Sequence, residues 1–212
     1  MTIDPQDILN SILSSLEKID YIKPREIPNI DLYMDQVTTF MDAQLESSKR
    51  HPEDKILTKT MINNYTKNHL LPPPEKKKYS REHLLLLIFI YYFKNILTIN
   101  DIQALLGPIT EKYFRNTDGW DLQDIYAEVF SMEKGQIEYL QKDLVKRYNI
   151  ATETFQQAPE EERESLQLFS FLCLLSFDVY VKKMLLERVL DDLGGKKARP
   201  TEKAEKKKSE KK

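Results

Sequence analysis

Residues 57–106 read LTKTMINNYTKNHLLPPPEKKKYSREHLLLLIFIYYFKNILTINDIQALL, and the order of features in this stretch decides how the chain is read. Thr58 is suited to cap a short helix, because its hydroxyl can accept from an orphan backbone N–H. Leu57, Met61, Ile62 and Tyr65 then fall on one side at helical spacing. Lys59, Thr60, Asn63, Asn64 and Lys67 face away. Pro72, Pro73 and Pro74 cannot continue a helix and favour a stiff extended segment. Lys76, Lys77 and Lys78 follow at once, and Ser80 is placed to cap the next helix. That helix, Arg81 to Asn95, is apolar nearly all round, which predicts a central core helix. Thr98-Ile99-Asn100-Asp101 is a capping box opening a short helix through Leu106, which Gly107-Pro108 is expected to stop.

Composition sets the wider frame. Apolar residues make up 41% of the 212 and charged residues 31%, so a packed core and a solvated surface are both available. Five Gly against many Leu, Ile, Lys and Glu favours helices over a turn-rich β fold, and the fold class expected is mainly all-α. Cys173 is the single cysteine, which excludes an internal disulfide and disfavours a thiolate metal cluster. The first residues, MTIDPQDILN, lack a basic segment followed by an apolar one, and the longest apolar run, Leu84 to Phe93, is too short to span a bilayer. A cytoplasmic protein with no membrane association is expected.

The formal net charge of −2 conceals a separation. Residues 55–83 carry seven bases against two acids, a balance of +5, while 121–193 carry 15 acids against eight bases, a balance of −7. The segment from Gly194 carries nine bases and three acids, a balance of +6. The local basic patch, not the average, bears on nucleic acid.

Flanking the central stretch, Asp4-Pro5 is a helix start, and Ile8, Leu9, Ile12, Leu13, Leu16 and Ile19 recur at helical spacing. KPREIP ends that helix in an extended link. A second helix is expected from near Asp31, with Met34, Val37, Phe40, Met41 and Leu45 inward. Downstream, residues 122–145 read as helix, bent or divided at Gly135. Pro159 followed by Glu160, Glu161 and Glu162 is a strong start for a long helix ending at Gly194-Gly195. Between Leu166 and Val181 that helix is apolar on nearly every face, Asp178 excepted, so it needs cover on two sides. A second copy of the chain is the favoured cover. A ligand pocket lined by Phe155, Phe169, Phe177 and Tyr180, with Asp178, is the alternative, and it is the form a small-molecule effector site would take. Four parts are therefore expected: an N-terminal helix and linker (1–28), a winged helix-turn-helix (29–108), a helical dimerisation or regulatory domain (109–193) and a disordered Lys-rich tail (194–212).

Thr58, Ile62, Tyr65, Leu70-Leu71, Pro73, Tyr79, Leu84 and Ile99 to Leu106 match in spacing the recognition helix, first wing and last helix of MerR-type regulators. The stretch resembles that winged helix-turn-helix over about 50 residues, with a looser extension back to Met34. The resemblance implies a recognition helix at about 58–68, and a contact from Tyr65 to the DNA backbone. The family's Arg-Tyr-Tyr is Asn63-Asn64-Tyr65 here, its Gly is His69, and its long coiled-coil helix is replaced by GPITEKYFRNTDGW. The whole chain also resembles an uncharacterised family of low-GC Gram-positive bacteria, known only as a domain of unknown function with a MerR-like N-terminal half.

The function expected is that of a DNA-binding transcriptional regulator. Asn63 or Asn64 would pair bidentately with adenine in the major groove, each pair discriminating by about 1–3 kcal/mol. Thr58, Lys59, Thr60 and Lys67 would approach bases or phosphates, and Lys76, Lys77 and Lys78 would neutralise phosphates. Double-stranded DNA and a second copy of the chain are the partners expected, with no cofactor and no metal. An enzyme is disfavoured: His51, His69 and His83 are scattered, with His69 expected in a turn and His83 on a helix face, and there is no phosphate-cradling Gly loop. The rival is a non-catalytic interaction module whose helix-turn-helix no longer binds DNA.

Overall fold

The structure, a computed structural model, describes residues 5–17 and 21–194. Eight helices and one two-stranded ribbon occur among them: α1 (Pro5–Leu16), β1 (Leu32–Tyr33), α2 (Met34–Gln44), α3 (Lys59–Lys67), β2 (Lys78–Tyr79), α4 (Arg81–Phe93), α5 (Ile99–Tyr113), α6 (Leu122–Ser131), α7 (Glu133–Thr152) and α8 (Glu160–Leu193). The fold is mainly α-helical, as the composition implies. The Asp4 cap, Ile19 and the Lys-rich tail from residue 195 lie outside the described residues.

The main core is built around α4, where every residue from His83 to Tyr91 is buried. A helix apolar on all sides must be wrapped on all sides, and each fully buried Leu or Ile contributes about 1.5–3 kcal/mol. Val37, Met41 and Leu45 of α2, Ile62 and Tyr65 of α3, Ile102 and Leu106 of α5, and Leu122 and Tyr126 of α6 supply the wrapping. Phe89 meets Tyr126 edge-on at 5.6 Å, and the Tyr126 hydroxyl donates to the Ile22 carbonyl at 2.6 Å. This core therefore runs past residue 108 into α6.

Four local expectations are corrected. The second helix starts at Met34, because Leu32 and Tyr33 pair with β2 as a short antiparallel strand. KPREIP is not fully extended but makes a three-ten turn at Pro24–Glu26. Gly107-Pro108 does not stop α5, which continues to Tyr113 with Pro108 inside it. An interior proline costs roughly 3 kcal/mol. Here Pro108 faces solvent, while Ile109 and Phe114 beyond it pack on the core and keep the helix going. The division expected at Gly135 falls instead at Met132, between α6 and α7.

A second, smaller core holds Leu9 of α1 against Tyr148 and Ala151 of α7 and Phe171 of α8. Helices α7 and α8 form an antiparallel hairpin, tied by Gln167 Nε2 donating to the Thr152 carbonyl at 2.7 Å and by Arg147 to Asp178 at 3.2 Å. Leu190, near the end of α8, returns to the main core, so this helix joins both. The face of α8 turned from α7 stays uncovered: Phe169, Phe177 and Tyr180 are 61%, 66% and 63% exposed. These aromatics do not converge with Asp178. They point outward, while Asp178 lies on the α7 side, bonded to Arg147 and Lys182.

Candidate nucleic-acid interface

Helix α3 begins as its sequence demands, with Thr58 Oγ1 accepting from the Met61 N–H at 3.2 Å. Its end is equally defined. The Leu70 N–H donates to the Tyr65 carbonyl at 2.9 Å and the His69 N–H to Thr66 at 3.1 Å, the paired pattern of a Schellman stop. His69 occupies the left-handed position of that stop, at φ 57°, where glycine is the usual residue. Leu70 and Leu71 then turn inward and are buried, anchoring the exit of the helix.

The two faces of α3 separate as the spacing predicts. Ile62 and Tyr65 are buried and Met61 is half-buried, while Lys59, Thr60, Asn63, Asn64 and Lys67 are exposed. Tyr65 does not belong to the outward row. It is 6% exposed in the main core, where burial raises its phenol pKa, so its direct role is to seat the helix. Thr58 is half-buried and its hydroxyl is occupied by the cap. Lys59 is exposed but ion-paired with Asp35 of α2.

After the prolines the chain makes a tight hairpin. Lys78 N donates to the Glu75 carbonyl at 2.8 Å, and the two central residues, Lys76 and Lys77, lie at φ 49° and 64°. Positive φ at both central positions is the signature of a type I′ turn, which Asn-Gly or Gly-Gly fills most cheaply. Two lysines here carry a left-handed penalty of about 1–2 kcal/mol each. The hairpin is pinned from both sides. Tyr33↔Lys78 and Leu32↔Tyr79 pair it to the start of α2, with the Lys78 ammonium 5.4 Å from the Tyr33 ring centroid. Arg115, just beyond α5, pairs with Glu75 and by hydrogen bond and charge holds that carboxyl below its usual range. Lys76 and Lys77 stay exposed at the tip, and Lys78 is half-buried against Tyr33.

His83 supports this hairpin from beneath. It lies on α4, as expected, and is fully buried between Tyr79 and Phe114, whose rings meet it edge-on at 5.5 and 4.9 Å. Its Nδ1 accepts from the Ser80 N–H at 2.9 Å, completing the start of α4. Burial, and next the nearby Arg115 charge, lower its pKa, so the ring is neutral at physiological pH. The sequence signal for this contact is a His at the third helical position, where Glu or Gln is the usual partner of the cap. Tyr33, Asp35 and Arg115 had no local signal at all, because their partners lie 24 to 45 residues away.

Thus six of the ten side chains expected at a DNA contact, Thr60, Asn63, Asn64, Lys67, Lys76 and Lys77, are exposed on α3 or the hairpin tip without an ion-pair partner among the described residues. Among the described residues, no group of three or more His, Cys, Asp or Glu is placed to hold a metal ion, and no helix is long and apolar enough to cross a membrane.

A helical domain wrapped on one buried helix, with a short polar helix and a pinned hairpin at its surface, is the class the fold defines. Its sequence matches the model of a domain-of-unknown-function family, DUF1836, over residues 22–129, and the chain belongs to that family. The matched span begins at Ile22, the Tyr126 hydroxyl's acceptor, and ends within α6, so it coincides closely with the main core. No curated protein and no solved structure matches the chain.

Proposed function

We propose that this protein is a sequence-specific binder of double-stranded DNA that regulates transcription, with α3 as the recognition helix of a MerR-like winged helix-turn-helix. The order β1–α2–α3–hairpin–α4–α5 supports the MerR-like reading, with α2 and α3 as the helix pair and the Lys76-Lys77 turn as the wing. The observation that carries the proposal is the division of α3, whose Ile62 and Tyr65 side is buried while Asn63, Asn64 and Lys67 are presented outward. Asn side chains read adenine edges, and lysines on a rigid turn neutralise phosphates. The strain retained at Lys76 and Lys77 fits this use, because glycine would relieve it and lose the charge.

The uncovered face of α8 supports a homodimer. Two α8 helices packed antiparallel about Leu172–Cys173 would bury Phe169, Leu172, Phe177 and Tyr180. A two-fold dimer of this kind reads a palindrome. Site selection from a random duplex library at low salt tests the proposal. Recovery of a palindromic motif is the expected result. Enrichment of no motif would instead favour an interaction module whose basic face meets an acidic protein.

A further inference from the structure

A cavity of about 400 Å³ lies between α3 and the α4–α5 turn. Met61, Leu97, Ile99 and Ile102 are its apolar lining residues, and Asn64, Asn95, Tyr65 and Lys94 complete the lining. Its size suits one small molecule, and apolar walls with a few convergent polar groups are how such sites are built.

Lys94 is the informative member. Its ammonium donates to the Ile56 carbonyl at 3.0 Å and sits 5.0 Å from the Tyr91 ring centroid. These contacts use one of its three N–H donors on a carbonyl, and no carboxylate pairs with it among the described residues. Burial lowers its pKa, as expected of a cation short of compensating charge. Lys49, by contrast, is similarly sheltered but is bonded to Asp42 at 2.8 Å.

We infer that this cavity binds a small amphipathic anion, an aromatic or branched aliphatic carboxylate, with the apolar body against Met61, Leu97, Ile99 and Ile102 and the carboxylate toward Lys94. Asn64 and Asn95 are placed to orient the ligand by hydrogen bonds. Asn64 also belongs to the outward row of α3, so occupancy changes the face proposed to meet DNA. That consequence rests on the DNA-binding reading; the site itself does not.

The test titrates the full chain, without DNA, with indole-3-acetate and with its uncharged isostere indole-3-acetamide, followed by heteronuclear NMR. Saturable shifts of the Asn64 and Asn95 side-chain amides and the Met61 methyl are expected, with the acid binding roughly fivefold or more tightly than the amide. Lys94→Met should erase that preference while leaving the apolar part of the binding. Ile99→Glu, at a side chain 43% exposed and therefore tolerant of change, should abolish binding of the acid. Equal affinities for acid and amide in the unmodified protein would overturn the anion assignment. Shifts confined to the aromatic face of α8, or full binding by Ile99→Glu, would overturn the location.

Discussion

Helix α4 and the middle of α8, from Leu166 to Val181, are both apolar on almost every side, yet they meet opposite fates. All nine residues from His83 to Tyr91 of α4 are buried, whereas α8 buries only Phe171 and Leu190 fully. The difference lies in neighbours. Helix α4 sits amid α2, α3, α5 and α6, all from the span matched by the family model. Helix α8 has α7 along one side and also contacts α5, and the rest of its apolar surface is uncovered among the described residues. An apolar helix therefore states that cover is required and leaves open what provides it.

The largest effect expected from breaking this comparison is in α4. Leu86→Ala should lower unfolding free energy by about 2–5 kcal/mol in urea, because the vacated volume cannot collapse within so dense a core. Phe177→Glu on α8 should leave the urea midpoint of the dilute chain nearly unchanged and weaken self-association by about 2 kcal/mol or more, read by sedimentation. A large loss of monomer stability from Phe177→Glu would mean that α8 is covered within the chain after all. Asn63→Ala should then cost about 1–3 kcal/mol on the selected site and little on unrelated duplex, measured by competition binding. Equal loss on all sequences would remove Asn63 from base readout.

Smaller still is the turn. Lys77→Gly should stabilise the fold by about 1 kcal/mol by relieving a left-handed residue, while reducing the salt dependence of DNA binding by about one counterion. The smallest effect follows pH through His83. Its folded pKa is depressed below the ordinary 6.5, so the unfolded chain takes up the proton first as pH falls. The stability this ring supports is complete above about pH 6.5 and is lost on acidification below it. A variant His83→Gln, which keeps an acceptor for the Ser80 N–H, should flatten that part of the pH profile.

Much of the central stretch was legible in its residues. Thr58 and Thr98 cap α3 and α5 with their hydroxyls as their side chains imply, since capping is a local hydrogen-bonding requirement, and α4 opens after Ser80, whose hydroxyl meets Glu82 and His83 rather than a backbone N–H. The inward and outward rows of α3 followed from 3.6-residue spacing, and the long α8 from Pro159 and the three glutamates after it. Pro108 misled, because a local breaker was outweighed by the packing of Ile109 and Phe114. Tyr65 carried two readings, inward by spacing and a DNA contact by resemblance, and its ring lies in the core as the spacing implies.

What the sequence determined by itself was therefore the helices, the starts of α3, α4, α5 and α8, and which side of each is apolar, all of which depend on neighbours within about four positions. Only the tertiary structure decided that Lys59 is tied to Asp35, that Glu75 is clamped by Arg115 across 40 residues, that His83 is buried beneath the hairpin, and that Lys94 lines a cavity without a carboxylate partner. Those contacts join segments far apart along the chain. Their strength depends on distance and desolvation, which no local pattern records.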